Sequence, residues 1–202
     1  MKKHLSLILT TILMFTPNAW SDDVIEVTPT FGYRFGGEFE QEEQSQSMDL
    51  KEKNSVGITF AWAHDRKRQG EIVFSHYQSE FENASSLALE NNELSVSYLH
   101  LGGNLPIASQ GIPFWISGGL GITHFAPDDN KLDKETKFSA NLGINTRLTI
   151  SDNTALKIGG RIYGTFLDSE SEIFCDSDNC LIYVSSDVWV QSELYLGLTV
   201  GF

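Results

Sequence analysis

The residues most able to do chemistry are few and scattered. His76 sits in "FSHYQSE", close to Ser75, Ser79 and Glu80. A histidine beside a serine can act as the base for a hydroxyl nucleophile. In an extended segment, however, residues three apart point to opposite faces, so Ser79 would face away from His76. Cys175 and Cys180 bracket "DSDN". Two cysteines so close predict a local disulfide if the chain is exported to an oxidising compartment. No histidine stands near them to complete a zinc site. Neither "DDNKLD" nor "DSDN" has the spacing of a full calcium loop, so no metal or other cofactor is expected. His64, His100 and His124 fall near the ends of apolar runs and read as interface residues.

A second group is defined by alternation. Arg34, Arg147, Lys157 and Arg161, with Glu71, Glu93 and Glu193, fall at the alternate positions of runs in which every second residue is mostly apolar. On strands, these seven would share the face opposite the apolar one. Charges of both signs on one sequestered face can pair with each other.

The elements that would position them are eight period-two runs, at about 25–36, 55–64, 70–79, 92–102, 112–125, 136–150, 154–167 and 186–202. The first sets Val27, Phe31, Tyr33 and Phe35 against Thr28, Thr30, Gly32 and Arg34. The fourth sets Leu94, Val96 and Tyr98 against Glu93, Ser95 and Ser97, which predicts the leucine, valine and tyrosine on the apolar face. Connectors alternate between short ("HDRKRQ", "SDN") and long ("GEFEQEEQSQSMDLKEKN", "DSESEIFCDSDNCLIY"). An even strand number with long connectors at one end predicts an all-β fold, an eight-stranded antiparallel up-and-down transmembrane β-barrel. Trp62, Phe125, Phe166 and Phe202 would form aromatic girdles on its outside. Trp189 falls on the inward parity, which implies either a bulge or a residue capping the interior.

Residues 1–21 read differently. Lys2 and Lys3 precede an apolar run from Leu5 to Phe15, and Ala19 and Ser21 are small residues before a cut. This predicts a secretory signal peptide, leaving residues 22–202 as the barrel domain. The full chain carries a formal charge of −13, and losing the signal removes two lysines and no acid. Such a balance argues against nucleic acid as a partner.

Alternation alone also fits a secreted, lipocalin-like barrel with water outside. The charged face separates the two cases. Each Arg or Lys turned to lipid near the midplane would cost about 2–4 kcal/mol, whereas turned inward it meets a carboxylate. The small residues on the same face suit a narrow interior.

The chain ends "ELYLGLTVGF". Gly197, Leu198, Val200 and Phe202 in this run resemble the terminal strand signal of bacterial outer-membrane barrels, with Tyr195 standing where a polar residue is more usual. The resemblance implies that the barrel assembly machinery reads this strand. Residues 22–202 as a whole resemble the small OmpA/OmpX-type barrels, with "TPTFGYRFGG" and "LKIGGRIYG" as the similar segments. That likeness implies a Gram-negative outer membrane, lipid and lipopolysaccharide as surroundings, loops outside and both termini in the periplasm. Some barrels of this kind are lipid A deacylases, with a His and a Ser two residues apart on one strand face. Here Gln78 stands two after His76. The expectation is therefore a non-enzymatic surface or structural protein with acidic loops. Alternatives are a small-solute pore, a lipid A-modifying enzyme and the soluble barrel.

Overall fold

A computed structural model of the chain describes residues 25–39, 48–64, 68–81, 93–107, 113–128, 133–167, 172–176, 179–183 and 188–202. The expected signal peptide and much of the acidic connectors, including Glu40, Glu42, Glu43, Asp129, Asp168, Glu170 and Asp178, lie outside them. So do the side chains of Cys175 and Cys180.

Twelve strands follow in chain order: β1 (Ile25–Gly36), β2 (Glu38–Phe39), β3 (Met48–Asp49), β4 (Lys53–Ala63), β5 (Gln69–Glu80), β6 (Glu93–Pro106), β7 (Phe114–Pro127), β8 (Glu135–Ser151), β9 (Thr154–Phe166), β10 (Glu172–Asp176), β11 (Asn179–Tyr183) and β12 (Val188–Gly201). Eight of them close a barrel in the order β1-β12-β9-β8-β7-β6-β5-β4. Every neighbouring pair is antiparallel, and β4 returns to pair with β1. Closure leaves no sheet edge, which a membrane-spanning sheet requires. The remaining strands form two small hairpins, β2–β3 and β10–β11, within the long connectors.

Local chemistry explains the ends. At the short-turn end, the β4–β5 turn is closed by the His64 N–H donating to the Arg68 carbonyl at 2.9 Å. The Ile107 N–H donates to the Phe114 carbonyl at 2.9 Å across β6–β7. At the other end, β1 stops where Gly36 and Gly37 take φ of 79° and 107°, values that L side chains resist. A register irregularity between Thr149 and Ser151 accompanies the tight β8–β9 turn.

The outside is apolar. Leu101, Leu120, Leu142 and Leu194 are each about 60 % exposed in the isolated chain. On β8 the outward row runs from Phe138 through Leu142 and Ile144 to Ile150. The twelve steps from Phe138 to Ile150, at about 3.3 Å each and tilted by about 40°, give a band roughly 30 Å tall, near the thickness of a bilayer core. A soluble monomer rarely exposes so continuous an apolar surface.

Inside, side chains fill the cylinder. Close packing of the walls is enforced at Gly102 and Gly121. An added Cβ would fall 2.0 Å from the Gly118 carbonyl oxygen and 1.9 Å from that of Leu99, respectively.

Two expectations are corrected here. Leu94, Val96 and Tyr98 point inward and are fully buried, so the parity of the outer half of β6 is the reverse of the reading from sequence. The physical reason lies further along β6, where Leu99 and Leu101 take the outward positions and set the parity for the whole strand. Phe125 is buried too, not part of a girdle. Its ring lies 5.1 Å from that of Trp189 in an edge-on contact.

Candidate functional site: the filled interior

The interior is built in three levels. At the long-connector end lies an apolar plug of Trp189, Phe125, Leu94, Val96, Phe81 and Leu167, with Leu50 and the rings of Tyr77, Tyr98 and Tyr163. Trp189 belongs to β12, whose pairing with β9 is regular throughout. No bulge intervenes, and Trp189 caps the interior. Gln191 ties the plug to the wall. Its Oε1 accepts from the Tyr98 hydroxyl at 2.8 Å, and its Nε2 donates to the Gly36 carbonyl at 3.2 Å. That nitrogen also donates to the Tyr77 hydroxyl.

Beneath the plug lies Arg34, fully buried. Its guanidinium carbon sits 5.1, 4.9 and 4.3 Å from the ring centres of Tyr77, Tyr98 and Tyr163. The electron-rich ring faces favour a cation there. Its Nη2 donates to Ser75 Oγ at 2.6 Å and lies 3.0 Å from Glu193 Oε1. Glu193 in turn accepts from the Tyr163 hydroxyl at 2.6 Å and from Ser55 Oγ. A buried ion pair is tolerable only when its remaining lone pairs are satisfied in this way. Beside it, His100 lies within the barrel, its Nε2 2.9 Å from Ser139 Oγ. It was read from sequence as an interface residue. The structure corrects that, because β6 runs well past His100 and its inward parity carries the ring into the interior.

The third level is polar and looser. Glu71 Oε1 lies 3.7 Å from Arg161 Nη2, and Glu71 Oε2 lies 4.0 Å from Lys157 Nζ. Arg161 stands over the Tyr195 ring at 5.2 Å. Ser117 Oγ, both amide atoms of Asn141 and the Tyr195 hydroxyl are buried here without a protein partner. Buried water usually satisfies such groups. At the short-turn mouth, Arg147 Nη1 binds Glu26 at 2.9 and 2.7 Å, and its Nη2 donates to Gln69 at 2.8 Å. Its guanidinium covers the Trp115 ring at 4.8 Å.

Of the seven charges grouped by sequence, Arg34, Glu71, Lys157, Arg161 and Glu193 are buried inside, and Arg147 lines the mouth. Glu93 is a correction. It lies on the outer side of the wall, where Gln78 Nε2 donates to it at 2.7 Å, for the same reason of β6 parity. Glu26, Ser55, Ser75, Gln191 and the three tyrosines were missed. Tyr77 and Tyr163 share the parity of Glu71 and Arg161, and that was the available signal.

The terminal-strand residues divide between the faces. Tyr195 and Gly197 are buried inward, Val200 is on the outward parity, and Phe202 is exposed. The Phe202 N–H donates to the Ile25 carbonyl at 3.0 Å, so the chain end is stitched to β1. Cys175 and Cys180 occupy opposed positions in the β10–β11 register.

His76 faces outward near the long-connector end, its Nδ1 2.9 Å from Ser97 Oγ on β6. Ser79 faces inward and donates to the Lys51 carbonyl. Among the described residues, no carboxylate is hydrogen-bonded to His76.

A closed, all-antiparallel eight-stranded cylinder with an apolar outside and a filled, charged inside is the fold of the small outer-membrane β-barrels. Solved structures share it, among them the three that follow. Neisserial surface protein A (NspA) aligns with TM-score 0.57 at 10 % identity, over 92 % of this chain and 100 % of that one. The outer-membrane protein AlkL, studied in DMPC lipid bilayers, aligns with TM-score 0.59 at 12 % identity, over 92 % of each chain. OprG from Pseudomonas aeruginosa aligns with TM-score 0.50 at 11 % identity, over 90 % of this chain and 96 % of that one. No family model and no curated protein matches the sequence.

Proposed function

We propose that the chain is a non-enzymatic outer-membrane barrel that anchors its long, acidic connectors at the cell surface and conducts no solute. In this reading the short turns and both mature termini are periplasmic. Lipid and lipopolysaccharide surround the wall, and the barrel assembly machinery acts on the last strand. The surface partner meets the long connectors, whose β10–β11 hairpin is clipped by a Cys175–Cys180 disulfide. The observation that carries the reading is the seal. Arg34, held by Glu193 and three tyrosines, lies directly beneath the Trp189–Phe125 plug. An eight-stranded barrel has an interior just wide enough for side chains to fill. Planar-bilayer recording tests it: the purified protein should give no stable, sizeable channels, and large steady wild-type conductance would support the pore instead.

A second reading, lipid hydrolysis at the outer wall, is favoured by one observation, the His76–Ser97 contact of 2.9 Å on the outer face near the long-connector end. The absence of an orienting carboxylate on His76, among the described residues, weighs against a full triad. Mass spectrometry of lipid A with and without expression decides between them. Loss of an acyl chain that His76→Ala and Ser97→Ala both abolish would establish the enzyme.

A further inference from the structure

On the outside of the wall, near the short-turn end, one ladder row runs Trp62–Gly70–Gly103–Gly118–Leu142 across five strands. The Trp62 indole lies over Gly70, where an added Cβ would fall 2.4 Å from the ring, and beyond it Gly103 and Gly118 leave an open groove of about 670 Å³ reaching to Leu142, flanked by Leu101, Leu105 and Ile116. The wall does not need glycine at every one of these places. A Cβ added at Gly118 would meet only ordinary contacts, at 3.5 Å from the Asn141 carbonyl oxygen and 3.8 Å from Leu142. Its backbone is not in the positive-φ region either. This contrasts with Gly102 and Gly121, where the backbone itself excludes a side chain. Glycine weakens a strand interior, and where packing does not demand it, close approach by a ligand is a physical reason for it.

The groove opens toward the β4–β5 turn, where His64 and Arg68 line its mouth, held opposite each other by their backbone hydrogen bond. Arg68 brings a cation to that mouth in a chain of net charge −13. Apolar walls at hydrocarbon depth, an indole at the interface and a basic mouth match one class of molecule.

We infer that this groove seats an acyl chain of a phospholipid with an anionic headgroup, whose phosphate lies at Arg68 and His64. The inference rests on the membrane-barrel reading and adds a specific lipid to it.

Trp62 is the built-in probe. Trp20 leaves with the expected signal peptide, and Trp115 and Trp189 face the interior, so bromine on acyl chains reaches Trp62. The protein, purified from the outer membrane, is reconstituted in phosphatidylcholine vesicles containing dibrominated phosphatidylglycerol or dibrominated phosphatidylcholine. The anionic phosphatidylglycerol should quench Trp62 with an apparent affinity about five-fold higher, the effect of one cation near a surface phosphate. Arg68→Gln should remove most of that preference without touching the wall. Gly118→Leu, which fills the groove and keeps every charge, should remove it as well. Gly160→Leu, on β9 beyond the Leu142 border of the groove, should leave it unchanged. Equal quenching by both lipids, or a preference that survives Gly118→Leu, would overturn the site while leaving the barrel in the membrane. Absence of quenching by either lipid would overturn membrane insertion itself.

Discussion

Arg34 and Glu193 are direct cross-strand partners at the seam where β12 meets β1, and their side chains lie 3.0 Å apart inside the barrel. The same pair that closes the cylinder between the chain's two terminal strands therefore also lies buried in its interior. The side-chain hydrogen bonds to Glu193 come from Ser55 on β4, Ser75 on β5 and Tyr163 on β9, so strands on both sides of the seam converge on one carboxylate.

Removing that carboxylate while keeping the cation should be costly. Glu193→Gln leaves Arg34 buried without its counter-charge, an expected loss of about 3–5 kcal/mol. The double variant Arg34→Leu/Glu193→Leu should be closer to wild type than the single one, because no orphaned charge remains. Urea unfolding in vesicles, followed by tryptophan fluorescence, measures both. A single variant as stable as wild type would show that the pair does not hold the seam.

The apolar wall makes its own prediction. Leu142 is outward, near the middle of β8, and 58 % exposed in the isolated chain. Leu142→Arg should destabilise the inserted barrel by about 2–4 kcal/mol. A soluble barrel would take the same change with almost no loss, so an unfolding midpoint that does not move contradicts a lipid-facing Leu142.

Where the sequence was legible, it was so because lipid imposes one rule on long stretches of strand. β1, β8, β9 and β12 cross the apolar belt with alternation intact, and their inward charges could be named in advance. Glu93, Tyr98 and Phe125 were misread for a shared physical reason. Near the long-connector end the outside becomes polar, as at His76, Ser97, Gln78 and Glu93, while the inside becomes the apolar plug. The rule "apolar means outward" reverses at that depth, and period-two alternation carries no sign of the reversal. His100 was misread because strand ends are poorly marked: β6 continues to Pro106. The tyrosine cage around Arg34 depends on residues from three strands, β5, β6 and β9, meeting at one height. Single-strand periodicity holds no information on the stagger that brings them level.

The opposed positions of Cys175 and Cys180 in β10–β11 predict an intramolecular disulfide in the exported protein. Both thiols should resist alkylation until a reductant is added. Alkylation of the unreduced protein at either cysteine would contradict the clip. Its loss should leave the barrel's unfolding midpoint almost unchanged, since so short a ring constrains only its own hairpin.

The chain end should matter for assembly more than for packing. Phe202 is 63 % exposed and its own backbone closes onto Ile25. Phe202→Ser should lower the amount of folded protein in the outer membrane, read as the heat-modifiable band on an unboiled gel. Normal levels of that band would remove the terminal-signal role.

The central claim is the direction in which the wall faces, and nitroxide accessibility measures it most directly. In a background with Cys175 and Cys180 changed to Ser, single labels at Phe31 and Leu196 in reconstituted vesicles should be reached by oxygen from the lipid and shielded from a water-soluble nickel complex. Labels at Thr28 and Thr199, inward and hydrogen-bonded to each other at 2.9 Å, should be shielded from lipid-borne oxygen. The reverse pattern, with Phe31 and Leu196 sheltered and the inward threonines open to lipid, would contradict the account.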